Sequence, residues 1–249
     1  MINTGSKNEQ DIVDALNKKQ FKKLNNNLQS LIYTIFGDQK PNTKIHCRLV
    51  DNFIKPDIVI ECGGKQAFIS VKNNRAEMVH REDIKSFVLF LRRFGVSVET
   101  QKTLLLYQFG DGTMDGSGKR RMNYHEVYDW LKERIDNANK ELNGKFDIIM
   151  STFERVIFQG VDEAAQSAEY LYYGDIEYGM VISRKQFESH LKTKEWGWYD
   201  NLHIGPILIK PHARYANKAV VSDLRRRQIT FYWPKMQPDM VYISKRYNF

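Results

Sequence analysis

Apolar residues at the start of the chain recur every three or four positions: Ile12, Val13 and Leu16, then Leu24, Leu28, Leu31, Ile32 and Ile35. That spacing predicts helix over 7–36. Ser6 stands where an N-cap would, with Glu9 three residues on in capping-box position, and Gly37 is the stop. A loop with Pro41 follows, and then the pattern shortens to extended runs at 44–50, 57–61 and 67–71. The last two flank Gly63-Gly64 and predict a β-hairpin. Helical spacing returns over 81–94 through Ile84, Phe87, Val88 and Leu91, with Gly95 as its stop. The run TLLLY at 103–107 reads as a buried strand, 110–118 as a glycine-rich loop, and 124–142 as a helix, followed by a further apolar segment at 146–159.

Helices and strands alternate up to about Gly160, which predicts an α/β sheet core over residues 1–160. From 161 to 249 short apolar runs separated by glycine turns predict a β-rich region with few helices. The charge divides along the same line. The 249 residues carry a formal net charge of +8, and nine basic against two acidic residues place +7 of it in 201–249, beside aromatics such as Tyr215, Trp233 and Tyr242. Such an imbalance fits a surface that meets phosphates, with rings available for stacking. The bland reading keeps the aromatics inside a β-rich subdomain that has a basic edge. Two cysteines cannot form a disulfide framework, no run approaches the length of a membrane span, and the first ten residues show no leader pattern. A reducing, cytoplasmic location away from membranes is expected.

The informative stretch is KPDIVIECGGKQAFISVKNNRAEMVHRE, residues 55–82. With the glycine pair at the turn, residues whose numbers sum to about 127 face each other. Asp57 then lies opposite Ser70, and Lys72 is two further along the same side of its strand. On the first helix Glu9 shares the face of Ile12, Val13 and Leu16. Carboxylates beside a lysine suit phosphodiester hydrolysis, because a hard divalent cation takes one or two protein carboxylates and leaves places for water and phosphate. A lysine then offsets the charge that develops on phosphorus. The bland readings are a strand-start aspartate and a capping glutamate.

Pro56-Asp57, a hairpin, and then Ser70-Val71-Lys72 resembles the PD-(D/E)xK signature of restriction endonucleases and DNA-repair nucleases. The resemblance covers roughly residues 9–107. It implies a restriction-endonuclease-like core, a mixed central sheet flanked by helices, with Asp57 as metal ligand, Lys72 positioning or activating water, and Glu9 as the helix-borne acid. The cofactor implied is Mg²⁺, for which Mn²⁺ substitutes. Ser70 departs from the pattern, which has an acid there. Some members bring that acid from the next helix, and Glu77, Glu82 and Asp83 are available, with Glu82 preferred. The expected function is a metal-dependent DNA endonuclease, of restriction type, acting on double-stranded DNA as a homodimer. Lys119, Arg120, Arg121, Arg225, Arg226 and Arg227 are the expected phosphate contacts. The alternatives are a catalytically inactive nucleic-acid-binding protein on the same fold, for which Ser70 speaks, and a module whose basic tail meets an acidic protein.

Overall fold

A computed structural model describes residues 4–50, 55–73, 77–118, 121–193, 201–212 and 224–246. The fold is mixed α/β, and its packing divides the chain into two units. The first takes residues 1–76, 153–194 and 235–249; the second takes 77–152 and 195–234. The division expected at Gly160 coincides with none of the four junctions, because strands beyond it complete the first unit's sheet.

In the first unit the predicted N-terminal helix is two helices, α1 (Thr4–Leu16) and α2 (Asn26–Phe36). Between them lie a two-residue strand β1 (Lys19–Gln20) and a 3₁₀ turn at Phe21–Lys23. Helix α1 starts before Ser6, so Ser6 lies inside its first turn and is no N-cap. The capping-box explanation for Glu9 falls with it. Helix α2 is capped instead by Asn25, whose side chain accepts a hydrogen bond from the Leu28 N–H.

The extended runs form as expected: β2 (Lys44–Leu49), β3 (Ile58–Cys62) and β4 (Lys65–Lys72) make an antiparallel meander. Gly63 and Gly64 both take positive φ (58° and 77°), a turn conformation that side-chain-bearing residues rarely adopt. Ile58 faces Ile69 across the hairpin, in the expected register. The sheet continues in β6 (Tyr170–Gly174), parallel to β4, and ends in β7 (Gly179–Ser183), antiparallel to β6. Its order is β1-β2-β3-β4-β6-β7. Ile12, Val13 and Leu16 of α1, with Leu28, Leu31 and Ile32 of α2, bury one face against Ile45, Ile58, Ile60, Ile69 and Val71. Each such side chain contributes about 1.5–3 kcal/mol when fully buried. Phe153, Phe158 and Phe187 cluster elsewhere in this unit. Phe187 belongs to a helix, α7 (Arg184–Thr193), and a further helix, α8, spans Met236–Arg246. Both correct the expectation of a C-terminal part with few helices.

The second unit holds the antiparallel sheet β5-β10-β9-β8, from β5 (Met78–Asp83), β8 (His203–Ile204), β9 (Ile207–Pro211) and β10 (Gln228–Tyr232). Its helices include α3 (Ile84–Arg92), α4 (Val98–Phe109) and α5 (Tyr124–Asn143). The helix expected over 81–94 therefore begins only after a strand, with Asp83 as its N-cap. The strand expected at 103–107 is a correction as well: TLLLY lies inside α4, which opens on the Ser97 cap and closes on a left-handed Gly110. Helix α5 forms where expected, behind an Asn123–Glu126 capping box. The apolar segment at 146–159 is helical, with α6 (Phe146–Phe153) passing into a π-turn at Glu154–Gln159. No helix among the described residues is long and apolar enough to cross a membrane.

Candidate active site

Asp57 precedes β3 by one residue, and backbone bonds extend the ladder to include it. Its N–H donates to the Ile69 carbonyl at 3.0 Å, and its own carbonyl accepts from the Val50 N–H at 3.1 Å. The start of β3 and the end of β4 lie at the same end of the sheet because the pair is antiparallel. Asp57, Ser70 and Lys72 are thus brought together, as the hairpin register predicts. Asp57 Oδ2 accepts the Val71 N–H at 2.6 Å and the Ser70 hydroxyl at 3.1 Å. Lys72 Nζ lies 3.8 Å from the same oxygen. Ser70 is fully buried, and the side chains of Asp57 and Lys72 are only 14% and 12% exposed.

The residue that sequence reasoning passed over is Lys55. Its ammonium sits on both carboxylate oxygens of Asp57, at 2.8 Å each, and donates to Ser70 Oγ at 3.1 Å. No strand period signals it, because Lys55 lies in a bend ahead of β3 rather than in extended chain.

The electrostatics follow from this crowding. Burial would raise the Asp57 carboxyl, but Lys55, Lys72 and the hydrogen bonds outweigh it and hold it down at about 2. Burial, and then the neighbouring Lys55 charge, pushes Lys72 down to about 7 against the pull of Asp57 and Glu9. Glu9 belongs to the same electrostatic group. Its carboxyl is raised by burial and then by Asp57, with Lys72 and Lys55 acting the other way.

The remaining candidates lie elsewhere. Glu82 is buried in β5 of the second unit, opposite Ile229, with its carboxylate 3.7 Å from the His80 imidazole. It was expected at the start of the following helix, but the chain forms a strand of the second sheet there. Arg226 is buried, not a surface phosphate contact. Its guanidinium meets Asp111 at 3.2 Å and the Gly116 carbonyl at 2.9 Å. Arg121 turns inward too, donating to the Tyr107 and Met122 carbonyls. Arg227 pairs with Asp83 at 2.7 Å. Arg225 is exposed. Lys119 and Arg120 lie outside the described residues.

Among the described residues, no three His, Cys, Asp or Glu side chains gather into a group that could hold a metal. What Asp57, Glu9 and Ser70 offer is hard oxygen. That fits a Mg²⁺-like ion, which needs only one or two protein carboxylates, and does not fit a zinc site. Compared with known protein families and with curated proteins, the chain finds no match, so its chemistry has to be argued from this geometry.

Proposed function

We propose that this chain is a metal-dependent endonuclease with a restriction-endonuclease-like core, hydrolysing phosphodiester bonds in double-stranded DNA. The observation that carries the reading is the meeting of Asp57 and Lys72, 3.8 Å apart, at one end of the two central strands of a mixed sheet. The strand arrangement supports it: an antiparallel meander, β2-β3-β4, continued by a parallel strand reached through a helical connection. The last core strand in this reading is β6 rather than residues 103–107, so the nuclease-like core extends past Gly160, and residues 77–152 of the second unit are inserted before it.

Asp57 and Glu9 are the residues that would hold a divalent cation of the Mg²⁺ or Mn²⁺ kind. Such an ion, when bound, lowers the pKa of water and offsets charge on the phosphate. Asp57 is fixed for that task by the Val71 N–H and the Ser70 hydroxyl, which hold one oxygen and so set the carboxylate plane. Burial favours the neutral form of Lys72, so its Nζ can take a proton from an attacking water and return to the ammonium form beside the phosphate. Two such sites cut two strands, and the active form is a homodimer.

A second reading, a DNA-binding protein without hydrolytic activity, is favoured by two observations: Ser70 in place of the second acid, and the lysine closed onto Asp57. Supercoiled and linear plasmid incubated with Mg²⁺ or Mn²⁺ decides between them. Cleavage by the wild type that is lost in Asp57→Ala and Lys72→Ala supports the nuclease. Salt-sensitive DNA binding without cleavage, equal in all three proteins, supports the second reading. Intact plasmid with no binding overturns both.

A further inference from the structure

The most unusual contact in the site is the one that closes it. A carboxylate poised for a divalent cation has both oxygens taken by one ammonium, at 2.8 Å each, from a lysine only two residues away. Lys72 adds a second positive charge at 3.8 Å. A divalent cation on either oxygen would stand a few ångströms from the Lys55 ammonium in a nearly buried site, and repulsion between the two cations favours the departure of one.

Lys55 has somewhere to go. Its side chain also borders a cavity of about 320 Å³, whose wall includes Arg48, Pro56, Val59, Phe68, Gln166 and the carboxylate-bearing Asp162. The wall of this space is apolar enough to take a lysine stem at Val59, Phe68 and Pro56, and it offers an acid for the head. Gly160 keeps that stem free. A Cβ placed at Gly160 would come within 3.3 Å of Lys55 Cγ, and its φ of +80° disfavours any side chain there.

We infer that Lys55 is a built-in, displaceable counter-ion: it neutralises Asp57 in the resting protein and swings into the adjoining cavity when a divalent cation binds. This rests on the metal-dependent reading above and adds its regulation, since the resting site is closed until the cation competes for it. Affinity for the cation is reduced by the fraction of molecules in which Asp57 is open. Charge-assisted bonds to both oxygens keep that fraction small.

The test is Mn²⁺ binding to the intact resting chain, read from the free-ion electron paramagnetic resonance signal, without DNA. With about a tenth or less of resting molecules open, Lys55→Gln tightens Mn²⁺ binding about tenfold or more. Lys55→Arg keeps the competing charge and does not tighten it, and Asp57→Asn loses it. Wild-type binding that Lys55→Gln leaves unchanged or weaker overturns the displaced-lysine inference and leaves the metal reading standing. Absence of Mn²⁺ binding in both wild type and Lys55→Gln overturns both. The wild-type chain gives a second readout that needs no folded variant. With ¹³C-labelled lysine, the Cε resonance of Lys55 shifts on Mg²⁺ addition; a Lys55 signal that stays fixed while the metal binds overturns the inference.

Discussion

Two buried ion pairs, one in each unit, invite comparison. In the second, Arg226 and Asp111 are 6% and 0% exposed at their side chains, and Arg226 is the one cation that bonds to that carboxylate among the described residues. Asp111 accepts the Thr113 N–H and hydroxyl on one oxygen and Arg226 on the other, while Arg226 also ties down the Gly116 carbonyl. This pair is a staple that folds the glycine-rich loop. In the first unit Asp57 is oversubscribed: two lysines, a hydroxyl and a backbone N–H converge on one carboxylate. Both lysines remain 12% exposed. The lesson is that burial and pairing alone do not mark a site. Surplus charge of one sign, kept within reach of solvent, does.

The comparison is broken most directly by removing each acid's role in turn. Asp57→Asn abolishes metal-dependent cleavage, by about a thousandfold or more, a size typical of losing a charge-stabilising group at the reacting centre. Plasmid nicking rates check it, and cleavage retained within tenfold sinks the assignment. Arg226→Met acts on stability instead. It leaves Asp111 buried without its cation and costs about 3–5 kcal/mol in urea denaturation, whereas the double variant Asp111→Asn/Arg226→Met recovers most of the loss. Cleavage per folded molecule stays at the wild-type level in both.

Acid sharpens the difference further. The Asp57 carboxyl is held at about 2 in the folded chain, against ~3.9 unfolded, so ionised Asp57 stabilises the fold above the unfolded value. That contribution, on the order of 2 kcal/mol, is lost as pH falls from about 4 through about 2. Urea midpoints of wild type and Asp57→Asn therefore converge over that window. Glu9 has the opposite sign: its raised carboxyl makes the ionised form a cost to the fold. Glu9→Gln is accordingly neutral or slightly stabilising at pH 7, and shows its effect above the unfolded carboxyl pKa of ~4.3. The smallest effect belongs to an exposed pair. Lys192→Ala, which breaks the contact with Glu188 at 2.8 Å, changes stability by less than about 0.5 kcal/mol.

What was legible in the chain depended on how local each feature is. The hairpin was readable because a Gly-Gly turn and its β-branched flanks fix the register, and register alone carries Asp57, Ser70 and Lys72 to one side. TLLLY was misread because α4 buries Gln101, Thr103, Leu104, Tyr107 and Gln108 around much of its circumference, which erases the amphipathic period that separates helix from strand. The break between α1 and α2 was hidden for a related reason: apolar spacing carried through a turn that contributes Leu24 to the same core.

The order of residues sets the meander, its turn, and the alignment of an aspartate, a serine and a lysine at one end of the hairpin, since each follows from contacts between near neighbours. Only the tertiary structure decided that β6 and β7 complete that sheet, that Glu82 belongs to another sheet, that Arg226 is a staple, and that Lys55 holds Asp57 closed. Those outcomes depend on which distant segments pack together and on which rotamer a long, flexible side chain then finds, and neither is written in any local period.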